Sequence, residues 1–212
     1  MRSLLLALTF ATLDLDVPQR AYAGYPVLVP IQAAGVPNGT TAAVERRDGT
    51  AWRQVTTVRV SRERGEAVLQ LPRGAHALRV SVAGETSPER TLRVLAARDW
   101  STSRRDDGAY AGRRPNVELG VRRGGREIRG FRATVSTFCV GPTIADNRVF
   151  IGTAPLRRAR IAPDGGFYAR EESGDDTTVE VRGRLRGGRV TGTVKLTFAT
   201  CSGSTEFSAR RR

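Results

Sequence analysis

The chain has 212 residues, 39% of them hydrophobic, and its 35 basic and 21 acidic residues leave a net charge of +14. Its 23 glycines and 10 prolines, together with the lack of segments of helical periodicity, favour short strands joined by turns and argue against a helical fold. The length leaves room for two small domains. A single histidine, His76, and two cysteines are too few for the Cys and His ligand sets of zinc sites.

The N-terminus predicts a secretory signal peptide over residues 1–23. A basic start is followed by an apolar run over residues 4–13 and by Ala21-Tyr22-Ala23, which has the pattern of a cleavage site. The alternative is a first strand or a short buried helix. The apolar run is half the roughly 20 residues that span a bilayer, so we expect no membrane span after signal peptide removal and a secreted or cell-envelope protein.

Residues 24–97 have the pattern of short antiparallel strands. Asn38-Gly39 and Asp48-Gly49 are typical of tight turns, and a slip in apolar phase between Val55 and Val58 predicts a β-bulge. Six or seven such strands indicate a β-sandwich. The segments at residues 44–52, 60–71 and 78–88 resemble the Ig-like or fibronectin-III-like modules of exported bacterial proteins. That resemblance implies a spacer or binding platform and carries over no functional residue.

Residues 98–115 are poor in hydrophobic side chains and are predicted to form an interdomain linker. Trp100 and Tyr110 are expected to pack against a neighbouring domain, because linkers rarely carry aromatic side chains that nothing covers.

Residues 116–212 are predicted to form a second antiparallel domain, either a sandwich or a small barrel. Its clearest element is a hairpin with a turn at Gly187-Gly188, flanked by Val179 to Leu185 and Val190 to Phe198 on one apolar face. In an exported chain Cys139 and Cys201 are expected to form a disulfide, whereas in a reducing compartment they would be two buried thiols. Segments around residues 121–128, 161–167, 181–185 and 190–194 resemble a C-terminal β domain of exported actinobacterial proteins, for which the resemblance implies no activity.

The opposite face of that hairpin is predicted to be basic. Its cations are Arg182, Arg184, Arg186, Arg189 and Lys195, with Glu180 and Glu206 as partial compensation. Such a face attracts polyanions, but a solvated basic surface that reflects arginine-rich codon usage is the preferred interpretation. Stacking aromatic side chains are not expected there, which argues against specific nucleic-acid recognition.

Catalytic patterns are weak. His76 is expected to lie on a surface or edge strand, and the carboxylate pairs Asp106-Asp107, Glu171-Glu172 and Asp175-Asp176 lack the spacing of a metal loop. The sequence therefore predicts a secreted, non-enzymatic structural or adhesive protein with no catalytic, cofactor or metal residues. Its expected partner is an anionic envelope polymer or another protein. A polyanion-binding module using the basic hairpin face is the first alternative, and a hydrolase is the second.

Overall fold

The computed structural model describes residues 11–113, 115–141, 147–174 and 176–212. Within these residues the protein is all-β, as predicted, with seventeen strands and one short 3-10 turn. None of the described residues forms a helix long and apolar enough to cross a membrane. The chain divides into two compact units, Met1–Ala96 and Ala97–Arg212.

The N-terminal unit consists of two sheets around one core. Its strands are β1 (Thr12–Leu15), β2 (Ala21–Tyr22), β3 (Val27–Ala34), β4 (Thr41–Asp48), β5 (Ala51–Arg59), β6 (Arg64–Leu69), β7 (Gly74–Val82), β8 (Glu85–Thr86) and β9 (Arg90–Leu95). One sheet has the order β1-β3-β6, and the other has the order β2-β9-β7-β4-β5 with β8 against β7. The pairs are antiparallel except for β2 with β9, which run parallel.

Alternation of apolar and polar residues places the core of this unit, because successive side chains of a strand point to opposite faces. Val29, Ile31 and Ala33 of β3 are buried in the same cluster as Leu78 and Val80 of β7, so both sheets contribute to one core. The predicted bulge is present. Val44 pairs with Thr56 and Glu45 with Gln54, which leaves Val55 as the extra residue of β5.

Residues 11–23, which the sequence assigns to the end of a signal peptide, are part of this unit. Strand β1 pairs with β3, and its side chains Leu13 and Leu15 are only 5% and 2% exposed. Ala21 of the predicted cleavage site is also buried. The boundary predicted at Gly24 therefore falls inside the N-terminal unit. Residues 12–15 form a strand, which was the alternative to a signal peptide. The remainder of the apolar run, residues 1–10, lies outside the described residues.

The C-terminal unit is a single large antiparallel sheet. Its elements are the 3-10 turn Arg104–Asp106 and the strands β10 (Gly108–Arg113), β11 (Asn116–Arg122), β12 (Glu127–Cys139), β13 (Arg148–Arg160), β14 (Gly166–Ser173), β15 (Thr177–Arg186), β16 (Arg189–Phe198) and β17 (Cys201–Arg211). The strand order is β13-β12-β11-β10-β17-β16-β15-β14, and an additional pairing of β12 with β17 partly closes it into a ring. One apolar cluster fills the interior.

The predicted disulfide is confirmed and lies at this closure. Cys139 is bonded to Cys201, 62 residues along the chain. The two cysteines face each other in the β12–β17 pairing, next to the pair Phe138 and Ser202. The bond therefore joins the two strands whose additional pairing closes the ring.

The edge strands β13 and β14 are joined by a side chain. The carboxylate of Glu171 on β14 accepts hydrogen bonds from the backbone N–H groups of Arg157 (2.8 Å) and Arg158 (3.2 Å) on β13. Ile161 and Phe167 also form a bridge next to this contact. Glu171 thus takes the place of a backbone carbonyl where the two edges meet.

Residues 98–115, predicted as a linker, include the 3-10 turn Arg104–Asp106 and the strand β10, Gly108–Arg113, of the C-terminal unit. Tyr110 of β10 is 1% exposed, and its hydroxyl donates to the carbonyl of Asp106 at 2.7 Å. Burial raises the pKa of this phenol, and Asp106 and Asp107 raise it further against the opposing charge of Arg211. The sequence of this segment resembles a linker because it contains few apolar side chains. Those few are buried only because β10 pairs with β11 and β17.

Candidate anion-binding surface

The hairpin of β15 and β16 folds as the sequence predicts. Gly187 and Gly188 have φ values of +57° and +71°, a left-handed conformation at both positions that glycine adopts without a steric penalty and that fits the right-handed twist of the strands. The apolar face is buried, including Val181, Val190 and Val194. All five predicted cations then lie on the opposite, outer face, because they alternate with these core residues.

Three arginines form a row across three neighbouring strands at the turn end of this face. Arg186 pairs directly with Arg189, and Arg189 pairs with Arg210 of β17. All three are exposed, and no ion pair is found for any of them among the described residues. We call Arg186, Arg189 and Arg210 the arginine row. Arg210 extends the predicted basic face, and its position beside Arg189 follows only from the pairing of β16 with β17.

The other end of the face is compensated. In the strand register Lys195 lies opposite Glu180, and Glu180 lies opposite Arg170 of β14. Arg170 also forms a 2.7 Å ion pair with Glu172. A small depression of about 130 Å³ lies here, lined by Arg170, Glu180 and Lys195 with two threonines. Alternating charges leave little net potential at this end, so Lys195 is not a strong anion contact.

The positive charge in the middle of the face is partly compensated. Arg184 forms an ion pair with Asp164 at 3.1 Å. Arg182 faces Tyr168 of β14 across the sheet and Thr193 on its other side. The outer face of the hairpin itself carries no aromatic side chain, and the neighbouring strand β14 adds Tyr168 beside it.

A shallow depression of about 470 Å³ adjoins the arginine row. Arg189, Thr191, Thr193, Glu206 and Ser208 are among the residues that line it. Arg189 donates through Nε to the Ser208 hydroxyl at 2.9 Å, which leaves its terminal guanidinium nitrogens as donors. Guanidinium and hydroxyl groups are the donors that sulfate, phosphate and carboxylate oxygens accept from. The depression can thus receive an anionic group at its Arg189 side, while Glu206 disfavours one at the other.

The remaining catalytic candidates have structural contacts. The Nε2 atom of His76 donates to the carbonyl of Pro72 at 2.8 Å. Asp107 accepts from the backbone N–H groups of Gly124 and Gly125. Asp175 lies outside the described residues. Among the residues that are described, no group of three or more His, Cys, Asp or Glu side chains could hold a metal.

One buried charge was not anticipated from the sequence. Glu127 on β12 is 1% exposed, and its carboxylate contacts the guanidinium groups of Arg123 (3.1 Å), Arg158 (3.2 Å) and Arg129. Burial alone would raise the pKa of Glu127, but the hydrogen bond from Arg129 and the three positive charges outweigh it and hold the pKa below its ordinary value. The carboxylate is enclosed and paired, while the three guanidinium groups remain more than half exposed, which indicates a structural role.

Comparison of the sequence with known protein families and with curated proteins finds no match to either. The resemblances to Ig-like modules and to an actinobacterial C-terminal domain therefore stay predictions. The outer face of β14 to β17 is therefore the candidate functional surface of this protein.

Proposed function

We propose that this protein is a non-enzymatic binding protein that holds an anionic polymer on the outer face of β15, β16 and β17. The arginine row is the observation that carries this proposal. Its three side chains lie on directly opposed positions of adjacent strands, where Cβ atoms are about 5 Å apart and like charges repel each other. An anionic ligand removes that repulsion and gains three charge-assisted contacts.

The shape of the surface favours a polymer over a small ligand. The 470 Å³ depression beside Arg189 is open and contains one guanidinium group with several hydroxyls, whereas small-molecule sites bury most of their ligand in a concave, largely apolar pocket. A linear polyanion instead gains affinity from repeated phosphate or sulfate contacts along a basic strip. Tyr168 alone provides no stacking platform, so sequence-specific nucleic-acid recognition is not part of the proposal.

The proposed location is the cell exterior or envelope. The disulfide between Cys139 and Cys201 supports it, because such bonds persist in oxidising compartments and are rare where thiols are kept reduced. Envelope and extracellular polymers are commonly anionic, so a chain of net charge +14 would be retained there without a covalent anchor. A structural or adhesive role follows from that retention.

The test is retention of the protein on immobilised heparin across a salt gradient. The variant Arg186→Ser, Arg189→Ser, Arg210→Ser is compared with a control, Arg62→Ser, Arg73→Ser, Arg93→Ser, whose exposed arginines lie in the N-terminal unit. Both variants lose the same net charge. We expect only the first to elute at markedly lower salt, with the slope of log K against log salt reduced by about 2 to 3.

Equal elution of the two variants would contradict the proposal, because retention would then depend on net charge and not on this face. A Lys195→Ser variant separates the two ends of the face. It should elute close to the unaltered protein, since Glu180 already compensates that charge.

A further inference from the structure

The exposed large hydrophobic side chains are concentrated at one place in the C-terminal unit. Six such residues occur in the described part of the chain, and five of them are Phe138, Val140, Val149, Phe150 and Ile151. Their exposed fractions run from 48% for Phe150 to 75% for Ile151. We call these five the apolar rim. The sixth is Val68, in the N-terminal unit, at 39%.

The apolar rim lies where β12 ends and β13 begins. Phe138 pairs with Val149, and Ile151 pairs with Ser136, so Phe138, Val149 and Ile151 share the outer face of the sheet. Phe150 pairs with the buried Thr137 and belongs to the other face. Hydrophobic surface is therefore presented on both faces of the same two strand ends, next to the disulfide at Cys139 that holds β12 against β17.

Positive charge accompanies the apolar rim. Arg148 begins β13, and Arg132 lies further along β12 on the outer face; both are exposed. No ion pair is found for them among the described residues. Glu127 is the only acidic residue of β12 and β13, and three other guanidinium groups already pair with it.

We propose that the apolar rim docks on an anionic lipid surface. Its apolar side chains would enter the boundary between headgroups and acyl chains, and Arg132 and Arg148 would contact lipid phosphates. Peripheral proteins bind membranes through this combination of shallow apolar insertion and attraction to anionic lipids. The inference is independent of the polyanion surface, which uses other strands and other arginines.

A lipid surface fits better than a second copy of the chain. Two copies would bring together two chains of net charge +14 and oppose like-charged arginines around the patch. A protein partner covers one face of a sheet, whereas the apolar rim exposes side chains on both faces of its strand ends. Lipid headgroups and acyl chains surround an inserted edge on all sides and so cover both faces.

The spacing is also compatible with shallow insertion. Arg132 lies four residues before Ser136, the partner of Ile151, which at about 3.3 Å per residue is roughly 13 Å. Insertion of the rim by about 5 to 10 Å therefore leaves Arg132 near the headgroups. Arg148 lies within the rim, and its long side chain can extend back to the phosphate layer.

The experiment is co-sedimentation of the full chain with vesicles of phosphatidylcholine alone or with 30 mol% phosphatidylglycerol. We expect binding to the anionic vesicles and little to the zwitterionic ones. Phe138→Ser with Ile151→Ser should lower the partition coefficient by about tenfold or more for each substitution. Val68→Ser, which removes the exposed hydrophobic side chain of the other unit, should leave it unchanged.

Arg132→Ser with Arg148→Ser should weaken binding to the anionic vesicles only. Retention on heparin by the Phe138→Ser, Ile151→Ser variant should match that of the unaltered protein, which separates this site from the arginine row, and an unchanged urea transition followed by tryptophan fluorescence shows that the variant is folded. Unchanged vesicle binding by that variant would overturn the inference. So would a dimer of the unaltered protein, seen by sedimentation velocity without lipid and abolished by the same substitutions, because the occupant of the rim would then be a second copy.

Discussion

At the scale of single residues, the buried carboxylate of Glu127 is in contact with three arginines. Its carboxylate is enclosed, while the arginines that contact it, Arg123, Arg129 and Arg158, keep between 52% and 61% of their side chains exposed. The guanidinium groups can therefore be rehydrated if the carboxylate is lost. This partial exposure moderates the cost that breaking a wholly buried ion cluster would have.

Replacement of Glu127 by Gln should lower the free energy of unfolding by about 1 to 3 kcal/mol at neutral pH. The pKa of Glu127 is lower in the folded than in the unfolded chain, so its contribution is complete above the unfolded value of about 4.3 and is lost as pH falls through the folded pKa. The difference in free energy of unfolding between the Glu127→Gln variant and the unaltered protein, measured with urea, should therefore shrink as the pH falls below about 4.

Glu118→Gln is the matched control for this substitution. Glu118 pairs with Arg212 at 3.2 Å, but its side chain is 57% exposed, so the loss should stay below about 0.5 kcal/mol. A loss as large as that of Glu127→Gln would contradict the argument that burial makes the difference. A constant gap from pH 7 to pH 3 would contradict the assigned pKa direction.

At the scale of elements, β1 decides how much of the N-terminus belongs to the folded unit. Leu13 and Leu15 point into the same core as Ile31 and Ala33 of β3. Cleavage after Ala23 would remove both leucines and the partner of β3 on that side. The apolar residues of a strand and those of a signal peptide are the same residue types, so hydrophobicity alone does not distinguish them.

A chain beginning at Gly24 should be less stable than one beginning at Ala11 by at least about 3 kcal/mol, since burial of each leucine contributes about 1.5 to 3 kcal/mol. The measurement is urea unfolding followed by Trp52, in a Trp100→Phe background that leaves one tryptophan in the N-terminal unit. Thr12→Ala, at an exposed position of β1, should change little. Equal stability of the two chains would show that β1 is dispensable.

At the scale of the whole molecule, the chain consists of two units with separate cores, and only the second contains a disulfide. The bond closes a loop whose ends are 62 residues apart. Such a closure restricts the unfolded chain and typically contributes about 2 to 4 kcal/mol. Its benefit should therefore be confined to the unit that runs from Ala97 to Arg212.

Cys139→Ala with Cys201→Ala should lower the stability of the C-terminal unit by about 2 to 4 kcal/mol. Trp100 reports this unit in a Trp52→Phe background, and its urea transition should move to lower concentration. Dithiothreitol should cause a comparable shift in the parent protein and none in the double variant. A reductant-sensitive double variant, or an unmoved Trp100 transition, would contradict the assignment.

Several features of the fold followed directly from local pattern. Alternation placed Val179 to Leu185 and Val190 to Phe198 on one buried face, and Gly187-Gly188 predicted the turn between them, because period and turn chemistry are local properties of a strand pair. The bulge at Val55 was visible as a slip in phase. The five cations of the hairpin were placed on one face for the same reason.

Contacts between strands that are distant in sequence were not predictable in this way. Arg210 joins the arginine row, and Tyr168 joins the same face, only because β17 and β14 pair on either side of the hairpin. The supposed linker is β10 because it pairs with β11 and β17. The exposure of the apolar rim could not be predicted either, since exposure depends on what covers a strand and not on its composition.

The sequence by itself determined the all-β class and the hairpin with its basic face, and it reduced the two cysteines to a disulfide or a pair of buried thiols. Each rests on periodicity, turn residues or a count, and none requires knowing which strands are neighbours. The tertiary structure alone decided the partly closed ring, the uncompensated arginine row and the exposure of the apolar rim. The order of strands in the sheet brings together residues that are far apart in the chain. The net charge and the burial at any point of a surface depend on those neighbouring residues.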